Sequence, residues 1–254
     1  MAGAAAALGS SDGLAAPVRR GPEKGAGGLR ASGGTPRNRW PMSAPAGDSI
    51  DGSGGSDGSV GSALDHPIFT ESIRLIRGWL GDTGLEAHQR DVLERLVHSG
   101  GDLSLARDLR FSPGACEAGI AALRAGAPIL TDTAMAAAAV APMARRTYAN
   151  AVHTLLEWAP AVAPPADTRT AAALAGALQS HPGALVLIGS APTALERLLD
   201  LVAAGNVAPP PLVIGMPVGF VGVEASKRRL AASGLPQIRL EGSRGGGGAG
   251  GCCG

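Results

Sequence analysis

Apolar residues recur at the spacing of amphipathic helices in the first patterned stretch of the chain, which begins near His66. Ile76 and Leu80 fall near one side of such a helix, and the pair Gly81-Asp82 ends it. The same spacing predicts a second helix over residues 85–99. A third helix is predicted up to residue 126, with Ser112 as its N-cap and Pro113 in its first turn.

Beyond residue 126, short apolar runs alternate with helical patterns. The runs predict strands at residues 128–130, 184–188, 212–214 and 237–240, and the helical patterns cover 170–179, 192–204 and 224–233. Buried strands separated by amphipathic helices are typical of a parallel sheet covered on both faces. We therefore predict an α/β fold, a three-layer αβα arrangement with a mainly parallel sheet. Ligands of such sheets bind at the carboxyl ends of the strands.

The first 63 residues are dominated by Gly, Ala, Ser and Pro and show no regular apolar spacing. They predict a disordered, low-complexity extension, followed by one domain over residues 64–246 and a Gly/Cys tail over 247–254. Basic residues such as Arg19 and Arg20 give the extension a faint likeness to an organellar transit peptide. The alternatives are a solvated extension, or translation upstream of a start at Met42.

Composition and charge exclude several classes of function. Hydrophobic residues make up 45% of the chain but aromatic residues only 3%, so the core must be built mainly from Ala, Val, Leu and Ile. The formal charge of +1 indicates no general attraction to nucleic acid or an anionic membrane. The apolar run over residues 134–144 is too short to cross a bilayer. Three cysteines form neither a disulfide framework nor a metal quartet, which favours a reducing compartment, the cytoplasm.

Motifs of the common enzyme classes are missing or misplaced. G-x-G-x-x-G occurs only within the glycine tail, and the phosphate-binding G-x-x-x-x-G-K-[ST] motif does not occur. G-x-S-x-G occurs at residues 9–13 and 54–58, in both cases inside the predicted extension. H-E-x-x-H and Cys-x-x-Cys pairs are also missing, so we predict no metal site and no redox cofactor.

Two strand ends carry glycine-rich loops, at residues 188–193 and 214–222. In the first, Ser190 and Ala191 precede Pro192 at the expected start of a helix. Their N–H groups are then available to a carboxylate or phosphate. Alternatively, the glycines serve only a tight turn from strand to helix.

His98 lies on the polar side of the second predicted helix, nearly opposite the side formed by Leu93, Leu96 and other apolar residues. Arg95 and Asp91 share the polar side with it, and Glu94 lies one turn earlier. If this side faces solvent, it is a solvated cluster of charges. If another chain or loop covers it, it becomes a cationic site with a proton donor.

Several segments together resemble the precorrin-8X methylmutase family of cobalamin biosynthesis, which includes the cobalt-precorrin-8 methylmutases. The resemblance runs from about His66 to Gly246. It is carried by ES at 71–72, RLVH at 95–98, FSPG at 111–114, AGAPI at 125–129, Asp132, TRTAA at 168–172, GSAPTAL at 189–195, GMPVGFVG at 215–222 and EASK at 224–227. The two longest motifs are highly specific.

The resemblance implies an isomerase that moves a methyl group from C-11 to C-12 of ring C of precorrin-8X, or of its cobalt counterpart, to give hydrogenobyrinate or cobyrinate. It implies no cofactor and a homodimer with shared active sites. By position, His98 matches the family's catalytic histidine, and Ser72, Arg95 and Arg169 match residues that hold the substrate. The glycine loops would supply backbone donors, and Lys227 is a further candidate.

The carboxyl end departs from the family pattern. An alanine-rich final helix is usual in the family, but here glycines follow Arg244 and lead to Cys252-Cys253. We therefore expect that helix to be missing. Two other functions stay open: a non-catalytic tetrapyrrole-binding protein on the same scaffold, and an unrelated nucleotide-binding α/β enzyme.

Overall fold

The computed structural model describes residues 66–251. The extension predicted over residues 1–63 lies outside the described residues, as do Cys252 and Cys253, so the predicted domain boundaries stay a prediction. Within residues 66–251, no helix is both long and apolar enough to cross a membrane.

The centre of the molecule is a six-stranded sheet. Its strands are β1 (Leu109–Phe111), β2 (Ile129–Thr131), β3 (Val152–Thr154), β4 (Leu185–Ile188), β5 (Val213–Gly215) and β6 (Gln237–Leu240). They lie in the order β1-β6-β5-β4-β2-β3, and every neighbouring pair is parallel except β1 with β6. The prediction of a mainly parallel sheet is confirmed.

Helices cover both faces of the sheet. They are α1 (Pro67–Leu80), α2 (Ala87–Gly100), α3 (Ala115–Arg124), α4 (Ala134–Arg146), α5 (Arg169–Ser180), α6 (Pro192–Ala203), α7 (Val223–Ala232) and α8 (Gly247–Gly251), with 3-10 turns at Leu103–Arg107 and Leu155–Trp158. The helices α1 to α4 enclose one apolar core, and α5 to α7 enclose the other. The αβα layers are therefore as predicted.

The central strand β4 shows why the strands of this sheet appear in the sequence as continuous apolar runs. Leu185 and Leu187 belong to the core under α1 to α4, whereas Val186 and Ile188 belong to the core under α5 to α7. Because successive side chains point to opposite faces and both faces are buried, every position must be apolar.

Besides the two 3-10 turns and α8, three elements were not predicted. The helix α4 was considered only as a possible membrane segment, and β1 and β3 are strands of three residues at the two edges of the sheet. The third helix begins at Ala115 rather than Pro113. Ser112 is not its N-cap, because the Ser112 hydroxyl accepts a hydrogen bond from the Gln237 N–H at 2.8 Å and so extends the pairing of β1 with β6.

The expectation that the last helix is missing was wrong. Residues Gly247–Gly251 form the short helix α8, which packs against α4, β4 and α2. Glycine suits this place because the helix lies very close to its neighbours. A Cβ on Gly250 would lie 2.8 Å from a methyl carbon of Leu187, and one on Gly247 would lie 3.1 Å from the Cβ of Ala136.

Candidate active site

The imidazole of His98 is held by a serine from the neighbouring helix. His98 lies in the last turn of α2, and its Nδ1 is 2.7 Å from the Ser72 hydroxyl on α1. Among the described residues no polar partner faces its Nε2 atom. One ring nitrogen is therefore held by a hydrogen bond, and the imidazole as a whole is exposed.

Phe69 and Arg95 complete the cluster around His98. The rings of Phe69 and His98 meet edge to face with centroids 4.9 Å apart, and the guanidinium carbon of Arg95 lies 4.8 Å from the centre of the Phe69 ring. Both contacts are favourable, the first between ring edge and face and the second between a cation and a π-system. The structure thus brings together three of the predicted site residues, Ser72, Arg95 and His98. Phe69 was not predicted.

Glu94 does not belong to this open side of α2. Its side chain is only 2% exposed, and it forms a bidentate pair with Arg77 of α1, with nitrogen to oxygen distances of 2.7 and 2.8 Å. This ion pair joins α1 to α2. Glu94 lies one turn from His98 along the helix, but this spacing does not determine which way the carboxylate turns.

Arg169 lies on the other face of the sheet from Ser72 and His98. It is the first residue of α5, and its Nε donates a hydrogen bond to the Pro160 carbonyl at 2.8 Å. In the described part of the chain its two terminal nitrogens have no hydrogen-bond partner. The structure therefore does not place Arg169 in contact with His98, but it leaves the guanidinium fork open for an anion.

The backbone donors of the first glycine loop are already occupied. One oxygen of the buried Asp132 accepts hydrogen bonds from the N–H groups of Gly189, Ser190 and Ala191, at 3.0, 2.6 and 2.8 Å. Asp132 directly follows β2, and the loop follows β4, its neighbour in the sheet. The expectation that these N–H groups face a ligand was wrong, because the chain supplies its own carboxylate.

The glycines of the same loop approach the chain itself. A Cβ on Gly189 would lie 2.6 Å from the Cα of Gly247. The second loop is held in the same way, since the Gly219 N–H donates to the Ser243 carbonyl and the Gly246 N–H to the Met216 carbonyl, at 3.0 and 2.9 Å. Both loops therefore contact the carboxyl-terminal segment, residues 242–251.

Lys227 also binds the carboxyl-terminal segment. It is 2% exposed, and its ammonium donates to the carbonyl groups of Gly242 and Arg244 at 2.8 and 2.6 Å. Burial lowers the pKa of Lys227 to about 8, although Glu224 and Asp108 partly oppose this effect. Arg244 is in turn held by Asp102, at 2.6 Å, and by Asp108. Lys227 thus binds backbone carbonyls rather than solvent.

No group of three or more His, Cys, Asp or Glu side chains within residues 66–251 is arranged to hold a metal ion. The site that emerges is instead a histidine in a polar and aromatic cluster on the outer side of two helices, on a three-layer α/β scaffold. A histidine held at one ring nitrogen in such a cluster is the kind of group that proteins use for proton transfer.

Comparison with known proteins gives the family. The model of the family described as precorrin-8X methylmutase matches residues 67–251. A precorrin-8X methylmutase of Pseudomonas aeruginosa is 43% identical over 185 residues, which cover 70% of this chain and 88% of the relative. A cobalt-precorrin-8 methylmutase of Synechocystis is 36% identical over 197 residues, covering 72% and 90%.

Comparison with solved structures gives the same family. The crystal structure of the precorrin-8X methylmutase from Thermus thermophilus superposes with a TM-score of 0.66 at 38% sequence identity, covering 74% of this chain and 93% of that one. The chain belongs to the precorrin-8X methylmutase family. The resemblance inferred from the motifs is confirmed.

Proposed function

We propose that this protein is an isomerase of cobalamin biosynthesis that moves a methyl group from C-11 to C-12 of ring C of precorrin-8X, or of cobalt-precorrin-8. The product would be hydrogenobyrinate or cobyrinate. One carbon–carbon bond breaks at C-11 and one forms at C-12, with no change of oxidation state. Family membership supports this reaction. The structural observation that carries it is the His98 imidazole, fixed at Nδ1 by Ser72 and open at Nε2.

His98 acts as proton donor and acceptor in this proposal. When the Ser72 hydroxyl donates to Nδ1, the neutral ring carries its proton on Nε2, the open side. Transfer of that proton near ring C would select the tautomer from which the methyl group migrates. Because substrate and product are isomers, a proton given to the macrocycle must return within the same turnover. The reaction therefore needs no redox cofactor and no external acid.

Ser72, Arg95 and Arg169 hold the substrate. Its macrocycle carries several acetate and propionate carboxylates, and a guanidinium binds a carboxylate in bidentate geometry. Arg169 suits this task because its Nε is fixed on the Pro160 carbonyl while its terminal nitrogens have no hydrogen-bond partner within residues 66–251. Binding at several carboxylates would keep the large ring still during the migration.

We also propose a homodimer with shared active sites. His98 is exposed in the single chain, and an exposed proton donor is a poor catalyst until water is excluded. Exposed apolar side chains support a covering partner: Ile68 on α1 is 73% exposed, and Phe220 in the second glycine loop is 94% exposed. A second subunit would bury such residues and bring a distant arginine near His98. We place the dimer in the cytoplasm, without nucleic-acid or membrane partners.

Incubation of the purified protein with precorrin-8X, followed by visible spectroscopy, tests the function. We expect conversion to hydrogenobyrinate by the wild type. The variant His98→Ala should bind the pigment but convert it at least about a hundredfold more slowly, which is the usual contribution of a general acid. His88→Ala is the matched control, because His88 is exposed near the other end of the same helix.

Full activity of His98→Ala would refute the role of His98. Pigment binding without turnover by the wild type would instead indicate the non-catalytic tetrapyrrole-binding protein, and stabilisation by a nucleotide alone would indicate the nucleotide-binding enzyme.

A further inference from the structure

The starts of α5 and α6 are joined by two polar contacts. The hydroxyl groups of Thr168 and Thr193 lie 2.7 Å apart, and the Arg197 guanidinium donates to the Asp167 carboxylate at 3.0 Å. Thr168 is the N-cap of α5, and Thr193 lies in the first turn of α6. These four residues tie the N-cap of α5 and the residue before it to the first two turns of α6.

The contacts act on the residue just before Arg169. The Thr168 hydroxyl accepts a hydrogen bond from the Ala171 N–H at 3.2 Å as the cap of α5, and its own N–H donates to Asp167 at 2.7 Å. Either hydroxyl can be the donor in the contact between Thr168 and Thr193, and the Thr170 hydroxyl lies farther from that of Thr168, at 3.3 Å. Thr168 is thus held from its own helix, from the preceding carboxylate and from α6.

We propose that Thr193, assisted by Arg197, is a positioning residue for Arg169. The inference rests on the proposed function, in which Arg169 binds a substrate carboxylate. Arg169 follows Thr168 directly, and its Nε donates to the Pro160 carbonyl. The backbone positions of Thr168 and Pro160 therefore determine where the terminal nitrogens of Arg169 lie. Bidentate binding requires both nitrogens in one geometry. The contact with α6 keeps that geometry before the substrate arrives.

A purely structural role predicts a different outcome from a positioning role. If Thr193 only stabilises the fold, its loss lowers the melting temperature and leaves the kinetics of the folded protein unchanged. If it positions Arg169, its loss weakens substrate binding but leaves the chemical step at His98 intact. The Michaelis constant then rises while kcat stays the same.

Full-length Thr193→Val tests the inference, because valine keeps the shape and removes the hydroxyl. We expect the KM for precorrin-8X, and the Kd from a visible-absorbance titration, to rise about fivefold, the value of one hydrogen bond. Turnover should stay within about twofold. Thr193→Ser should restore the wild-type KM, since it keeps the hydroxyl. Combining Thr193→Val with Arg169→Ala should weaken binding no further than Arg169→Ala alone.

The possible failures are distinguishable. If Arg169→Ala leaves KM and Kd unchanged, the proposed role of Arg169 is wrong and the positioning role is overturned with it. If Arg169→Ala weakens binding but Thr193→Val does not, only the positioning role is overturned. An additive double variant, or a Thr193→Ser variant as weak as Thr193→Val, also overturns it. Melting temperatures of all variants show whether each one is folded.

Discussion

Gly189 lies so close to Gly247 that no side chain fits between them. A Cβ on Gly189 would be 2.6 Å from both the Cα and the N atom of Gly247. The first residue after strand β4 therefore requires glycine because of α8, whereas a Cβ on Gly247 itself would meet Ala136 of α4 at 3.1 Å. The glycine-rich end of the described chain therefore packs directly against the glycine loop that follows β4.

Gly189→Ala should lower the free energy of unfolding by at least about 2 kcal/mol, because the new methyl group meets backbone atoms that have no easy way to move. Gly248→Ala is the matched control. It lies in α8, and a Cβ there would meet nothing within 4 Å, so we expect no loss and a slight gain from helix propensity. Denaturant unfolding measures both. Equal stability of the two variants would show that α8 does not pack on the loop as described.

The fold was largely predictable from sequence because the central strands are buried on both faces. Strand β4 is an unbroken apolar run, which only a covered sheet explains. The edge strands β1 and β3 were missed because each has three residues, too few for a period to show. Helix α4 was missed because its alanines give little contrast between its buried and exposed sides.

The candidate site was predictable only where its residues share neighbouring helices. Ser72 and His98 were named from motifs, and the structure places them 2.7 Å apart. Asp132 was noted only within a motif, although an acidic residue directly after a buried strand was the available signal. Its role depends on a contact with residues 57 to 59 positions later, which no local pattern contains.

Ser72→Ala should reduce turnover about tenfold and leave substrate affinity within about threefold, because it frees the Nδ1 atom of His98 rather than removing a proton carrier. Ser99→Ala is the control. Ser99 is adjacent to His98, but its hydroxyl donates to the Leu96 carbonyl at 3.1 Å within the same helix. Turnover and pigment titration distinguish the effects. A Ser72→Ala variant with wild-type turnover would mean that the serine does not orient the imidazole.

Lys227 should make stability rise with pH on the alkaline side. Its pKa is about 8 in the folded protein, whereas an unfolded lysine titrates near pH 10.4. Between these values the unfolded chain holds a proton that the folded chain has released, so the free energy of unfolding increases with pH. The whole gain is about 3 kcal/mol, most of it between about pH 8 and pH 10.

Lys227→Met should remove this pH dependence, even though it also loses the hydrogen bonds to Gly242 and Arg244 and is less stable throughout. Arg228→Met, a change of the exposed neighbour, should keep it. Denaturant unfolding at several pH values gives the slopes. The same slope in wild type and Lys227→Met would assign the alkaline gain to other groups.

Asp132→Asn should destabilise the protein by about 2 kcal/mol, since three hydrogen bonds to a carboxylate become hydrogen bonds to a neutral amide. The second carboxylate oxygen, Oδ1, is buried without a hydrogen-bond partner within residues 66–251, so the amide nitrogen gains no acceptor in its place. The variant keeps the size of the side chain, which separates the effect of charge from that of a cavity.

Asp82→Asn is the comparison for Asp132→Asn, because the exposed Asp82 carboxylate accepts one backbone N–H, that of Gly84, at 2.9 Å. Because Asp82 is exposed, water can compensate for a weaker hydrogen bond there. The free energy of unfolding should therefore change by no more than about 0.5 kcal/mol. Denaturant unfolding of both variants at neutral pH gives the difference. If Asp132→Asn is as stable as Asp82→Asn, the loop after β4 does not depend on the charge of Asp132, and the N–H groups of Gly189, Ser190 and Ala191 need another explanation.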